Sequence, residues 1–123
     1  MKLSDQQFEF AKDCVLFELW MLNHGYKFTY GEAWRPDEMQ KIYFKKELSK
    51  IKVRGPHGNR LARDYNVWVN GVLTYVKEDL KPIGDFWEGL NILNRWGGNL
   101  IIGYDKNGEP KYDTDHFERR KVS

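Results

Sequence analysis

The sequence predicts an α+β fold, a small and mostly antiparallel sheet with helices packed on one side. Three observations carry this expectation. Residues 4–24 repeat apolar side chains at helical spacing. Residues 83–93 do so again with Ile83, Phe86, Trp87, Leu90 and Leu93. Residues 61–69 alternate between two faces and meet a second run, Val72 to Val76, across Asn70-Gly71, the strongest short hairpin signal.

Length and composition bound the rest. A chain of 123 residues is one domain with a single core, and its 15% aromatic content, five Trp included, means that large planar groups fill the core and wall any pocket. A formal charge of +2 is too small and too dispersed for a nucleic-acid surface, although it suits weak attraction to an anionic polymer such as a cell wall. No apolar run approaches the length of a bilayer span, so stable membrane insertion is not expected, and the expected state is a monomer. Met1-Lys2-Leu3-Ser4-Asp5 leads into acidic and amide side chains, which predicts a product of the cytoplasm without a signal peptide. The single cysteine, Cys14, lies at helical spacing among Phe10, Ala11, Phe17 and Met21 and reads as a small buried hydrophobe.

In chain order, Ser4 with Gln7 has the capping-box pattern. The helix it opens carries the stripe Phe8, Ala11, Val15, Leu19 and Leu22 and the flanking set Phe10, Cys14, Phe17 and Met21, a face broad enough for a core helix. It ends near His24-Gly25, where a histidine suits the helix dipole. Residues 26–30 alternate aromatic and polar groups as a strand with one buried face. A helix over 37–48 turns Met39, Ile42, Tyr43 and Leu48 inward. Arg35 precedes it at a strand-to-helix junction, where side chains project into clefts; pairing with Glu32 or Asp37 at the surface is the alternative. The basic residues of 45–54 form a solvated face without interleaved aromatics. Residues 55–60 are a rigid loop feeding the strand. Beyond the hairpin, 78–82 is expected to be a turn, 83–93 a helix, and 94–99 a loop whose paired glycines permit a close backbone approach. A short strand at 100–102, an exposed turn at 105–110 and a last ordered element at 114–118 follow, with 119–123 a frayed basic tail.

On the strand 61–69, alternation sets Ala62, Asp64, Asn66 and Trp68 on one face, read as inward, and Leu61, Arg63, Tyr65, Val67 and Val69 on the other. A buried carboxylate needs a cation, a metal or hydrogen-bond donors. His57 precedes Asp64 in the loop, and His116 closes the segment Asp113-Thr114-Asp115-His116. If loop, strand and tail converge, two imidazoles and a carboxylate meet at one point, a donor set for zinc with one open position. The spacing is not that of a helical zinc motif, so convergence depends on the fold. Trp68 and Trp96 are candidate pocket walls or core aromatics.

In these residues the chain resembles the zinc D-alanyl-D-alanine carboxypeptidase and L-alanyl-D-glutamate endopeptidase family, which includes the vancomycin-resistance dipeptidases and several phage endolysins. The family's first metal motif, Ser-x-His-x-x-Gly-x-Ala-x-Asp, is met by His57, Ala62 and Asp64. Its closing motif, an acid three residues before a histidine and often followed by Phe-Glu, is met by Asp113, His116, Phe117 and Glu118. Trp96-Gly97-Gly98-Asn99 looks like the Trp-Gly-Gly-Asp of the endolysin branch, and Trp34-Arg35-Pro36-Asp37-Glu38-Met39-Gln40 like the family's arginine and glutamine entry to its second helix. Gly55 stands in place of the family's serine, Arg60 in place of its glycine and Asn99 in place of its acid; none of these is a ligand.

The resemblance implies zinc held by His57, Asp64 and His116 at the open edge of the sheet. It also implies Asp113 as general base and Arg35 as the group that stabilises charge on the scissile carbonyl. Gln40, Trp96 and Glu118 would contact substrate or support the ligands. Periodicity leaves Asp115 as the rival acid: a helical turn would bring Asp113 beside His116, whereas a straight strand would send both aspartates to the opposite face. The expected function is zinc-dependent hydrolysis of the peptidoglycan stem peptide by an L-Ala-D-Glu endopeptidase. It would be a phage or prophage endolysin that accumulates in the cytoplasm and reaches the wall after a membrane lesion. A D-Ala-D-Ala carboxypeptidase or dipeptidase, and a non-catalytic wall-binding or virion protein, are the alternatives.

Overall fold

Helix α1 (Leu3–Asn23) opens the computed structural model, which describes residues 1–31, 59 and 61–122. The helix buries Gln6, Phe10, Asp13, Cys14, Phe17 and Met21, a row at helical spacing. The expected inward stripe is therefore reversed: Phe8, Val15, Leu19 and Leu22 are each more than half exposed, and the flanking set forms the core. Shape decides between the two faces. Phe17 meets Tyr65 edge-on at 5.2 Å and Phe117 at 4.8 Å, and Phe10 meets Trp87 edge-on at 5.7 Å, contacts that no aliphatic stripe supplies. The capping box is not formed. The helix begins at Leu3, Lys2 offers no side-chain cap, and Gln7 Nε2 donates to the Asn59 carbonyl at 2.9 Å.

Strand β2 (Ala62–Val69) is the hub of a five-stranded antiparallel sheet. One of its edges pairs with β1 (Lys27–Tyr30), and the other pairs with β3 (Val72–Thr74) at one end and with β7 (His116–Arg119) at the other. Strand β4 (Asn94–Trp96) pairs with β7, and β5 (Ile101–Tyr104) with β6 (Pro110–Tyr112) forms a separate hairpin. The β2–β3 turn has positive φ at Asn70 (53°) and Gly71 (80°), the mirror-image turn that matches strand twist. The α+β class and the mostly antiparallel sheet are as the sequence predicts.

Helix α2 (Lys77–Leu90) starts before Pro82 and does not follow it, so the expected turn at 78–82 is helical. Thr74 Oγ1 accepts the Val76 N–H at 3.1 Å and donates to Asp79 at 2.8 Å, which fixes the entry. Leu80, Ile83 and Trp87 bury one stripe that runs through the proline. Proline removes a single bond near the helix start, and the apolar stripe offsets that loss. A 3₁₀ turn, Gly97–Asn99, follows β4, where a plain loop is expected from sequence.

The core gathers Phe17, Met21, Leu61, Tyr65, Leu80, Ile83, Trp87, Trp96 and Phe117 between the two helices and one face of the sheet. The odd-numbered residues of β2 face this core, so Asp64 looks out from the opposite face. The expected frayed tail is instead anchored. Arg119 is 5% exposed and lies 3.9 Å from Asp13, while Gln6 exchanges two hydrogen bonds with the Val122 backbone. Among the described residues no helix is long and apolar enough to cross a membrane.

Candidate metal and catalytic site

Antiparallel pairing sets Asp64 opposite His116 and Ala62 opposite Glu118, with Tyr65 and Phe117 turned into the core. Alternation therefore sends Asp64, His116 and Glu118 out of the same sheet face. His116 Nδ1 lies 3.3 Å from Asp64 Oδ1, and its Nε2 lies 2.7 Å from Glu118 Oε1. The three side chains are only 12–16% exposed. Burial disfavours a charged imidazole, but the hydrogen bonds and charges of Asp64 and Glu118 outweigh it and push the His116 pKa up to about 10.

The acid-bearing segment is a β-turn, neither a helical turn nor a straight strand. It closes with the His116 N–H on the Asp113 carbonyl at 3.1 Å. Four contacts pin it. The Asp113 N–H donates to the Gly97 carbonyl at 3.3 Å, Trp96 Nε1 to the Thr114 carbonyl at 2.8 Å, Thr114 Oγ1 to the Tyr75 carbonyl at 2.6 Å, and the Tyr65 N–H to the Asp115 carbonyl at 2.8 Å. Gly97 is required by contact: a Cβ there would stand 2.0 Å from the Asp113 carbonyl oxygen. Burial, then the hydrogen bond and charge of Asp113, then the charge of Asp64, push the Asp115 carboxyl up to about 7. Near neutral pH Asp115 therefore holds a proton much more readily than an ordinary aspartate.

Asp64 and His116 lie at an internal break in the sheet, while His57, the remaining ligand of the zinc site expected at an open edge, lies outside the described residues. Beside β2 the neighbour changes from β7 to β3, and the turn 113–116 fills the gap. Trp96 is fully buried and cannot wall a substrate pocket. Its ring packs where a Cβ on Gly84 would clash at 2.1 Å, and its indole N–H holds the turn. Asn99, in place of an acid, donates to Glu88 Oε1 at 2.9 Å, while Glu88 Oε2 accepts the Trp96 N–H at 3.0 Å. A carboxylate at 99 would face the Glu88 carboxylate. Sequence reasoning missed Thr114 and Glu88, because neither spacing nor residue type marks a side chain whose partner is a backbone group. His57, Arg35 and Gln40 lie outside the described residues.

Among the described residues no group of three or more His, Cys, Asp or Glu is arranged to hold a metal. Asp64 and His116 offer two donors of the type zinc takes, a carboxylate oxygen and an imidazole nitrogen. The outer ring nitrogen of His116 rests on a carboxylate, the usual arrangement behind a metal-bound histidine, which leaves Nδ1 toward Asp64. The residues present therefore fit zinc, with a third donor needed from elsewhere in the chain.

No protein-family model and no curated protein matches the chain. Among solved structures, the L-Ala D-Glu endopeptidase ChiX of Serratia marcescens matches with a TM-score of 0.55 at 18% identity, over 76% of this chain and 66% of that one. The two chains share a fold. This chain spans 66% of the length of that neighbour, and the likeness is one of architecture.

Proposed function

We propose that this protein is a zinc-dependent hydrolase of the bacterial peptidoglycan stem peptide that cleaves the L-Ala-D-Glu bond. One observation carries the reading: Asp64 and His116 converge on one sheet face with Glu118 behind the imidazole, in a fold shared with an L-Ala D-Glu endopeptidase. His57, Asp64 and His116 would hold the ion. Bound there, zinc would supply Lewis-acid polarisation of the scissile carbonyl and a lowered pKa for water.

The chain's own groups do the rest. Asp113 takes a proton from the attacking water onto a carboxylate oxygen and delivers it to the leaving amine nitrogen as the C–N bond breaks. Asp115, whose carboxyl is pushed up to about 7 by burial and by Asp113, would when protonated donate to one Asp113 oxygen and leave the other for that transfer. Arg35 would stabilise charge on the carbonyl oxygen, a contribution of about 3 kcal/mol for one such donor. The family resemblance also supports an endolysin role, with action on the wall after release from the cytoplasm.

Metal analysis of purified variants tests the assignment. His57→Ala and His116→Ala should lose bound zinc together with activity, and Asp113→Ala should keep zinc and lose activity. Equal zinc content in all three contradicts it.

A further inference from the structure

The face of β2 that carries Asp64 continues away from the catalytic turn as Asn66 and Trp68. Asn66 stands beside Thr29 of β1, and Trp68 between Lys27 of β1 and Leu73 of β3. Asn66 Nδ2 donates to Thr29 Oγ1 at 3.3 Å, and Asn66 Oδ1 accepts from the Tyr75 hydroxyl at 2.9 Å. Tyr75 is 50% exposed, and the Trp68 indole is partly exposed with Lys27 Nζ 4.8 Å from its centroid. The row is fastened to the catalytic turn, because Thr114 Oγ1 donates to the Tyr75 carbonyl at 2.6 Å. Same-face residues on a strand recur about every 7 Å, so Asn66 and Trp68 lie about 7 and 13 Å along from Asp64.

Chemistry narrows what this row can hold. The Asn66 amide keeps one N–H and a lone pair, the Thr29 hydroxyl keeps its proton, and the Tyr75 oxygen keeps acceptor capacity. Two aromatic rings offer flat apolar faces beside these polar tips, and the row contains no carboxylate. An extended peptide would bind by adding to a free strand edge, yet β2 is paired on both edges at Val67 and Trp68. Recognition over β2 therefore runs through side chains, and a ring with an apolar C–H face and equatorial hydroxyl and acetamido groups matches them.

We propose that Thr29, Asn66, Trp68 and Tyr75 form a subsite for an amino-sugar ring of the glycan strand from which the scissile stem peptide hangs. This rests on the proposed stem-peptide hydrolysis. The enzyme would then read the sugar as well as the peptide.

The test compares one stem peptide, free or linked to its disaccharide, as substrate for the zinc-loaded protein. The wild type should show kcat/KM about tenfold higher on the linked form, and Asn66→Ala and Trp68→Ala should each bring that ratio close to one. Tyr75→Phe, which deletes a single oxygen, should lower the ratio less and guards against a folding defect. A wild-type ratio of one, or a ratio unchanged in all three variants, overturns the subsite. Titration with glycan strands stripped of peptide, read by tryptophan fluorescence, separates the two readings. Binding that Asn66→Ala weakens supports the subsite even if neither substrate is cleaved, in which case the hydrolase reading alone fails. Cleavage of both substrates at equal efficiency without strand binding removes the subsite alone.

Discussion

At His116 Nε2 lies 2.7 Å from Glu118 and Nδ1 3.3 Å from Asp64, so a cation bound at Nδ1 would leave the ring proton on Nε2, held by Glu118. Glu118→Ala should weaken zinc binding about 10- to 100-fold without abolishing it, as outer partners of metal-bound histidines do. Competition with a chelator measures this, and unchanged affinity would remove Glu118 from the site. The pairing of the Asp64 and His116 segments on one sheet face follows the two short motifs in the sequence, whereas alternation placed Asp64 on an inward face and the core lies on the other. The raised pKa of Asp115 was not legible in the sequence, since its causes are burial and a β-turn that folds two aspartates together, and no periodicity describes either. The sequence leaves Trp96 between a pocket wall and a core aromatic, and its burial against Gly84 makes it a core aromatic.

The elements around the site act as a mould for the turn 113–116. β4 delivers Trp96 and Gly97 beneath it, and β3 runs on to Tyr75 beside it. Gly97→Ala should leave helix content intact by circular dichroism while lowering activity at least about 100-fold, because a methyl group 2.0 Å from the Asp113 carbonyl oxygen must displace the turn that carries Asp113, the proposed general base. Wild-type turnover in that variant would show that the turn tolerates movement and that Asp113 is not its working part. Element positions were read well where one face is apolar and the other polar, as in β2 and its hairpin. They were misread where both faces are apolar, as in α1, or where a local rule competes with packing, as at Pro82. The tail 119–123 was taken for a frayed end because its charges are conspicuous, whereas Asp13 and Gln6, which hold Arg119 and the Val122 backbone, lie at the far end of the sequence.

For the molecule as a whole, stability should carry the signature of protonated groups buried in one core. Burial pushes the Cys14 thiol from an ordinary value of 9 up to about 11, and burial first of all raises the Tyr65 phenol as well. The unfolded chain therefore loses protons that the folded chain keeps. The thiol's contribution is full below pH 9 and is lost between pH 9 and 11 as the unfolded thiol ionises, with the tyrosine adding to the loss above pH 10, on top of the contribution of His116, which is lost as pH rises from 6.5 to about 10. Urea midpoints over that range should decline for the wild type and decline less for Cys14→Ala; parallel curves would contradict the assignment. The α+β architecture was legible because it needs only patterned faces and a hairpin turn. The proposed metal site needs remote segments brought together; β2–β7 pairing does this for Asp64 and His116, while His57 lies outside the described residues. Mass spectrometry of a defined stem peptide incubated with zinc-loaded protein tests the central claim most directly. New ends at L-Ala and D-Glu, absent after chelation and with Asp113→Ala, are the predicted result. An intact peptide at full zinc occupancy, or the same cleavage after the metal is removed, would contradict it.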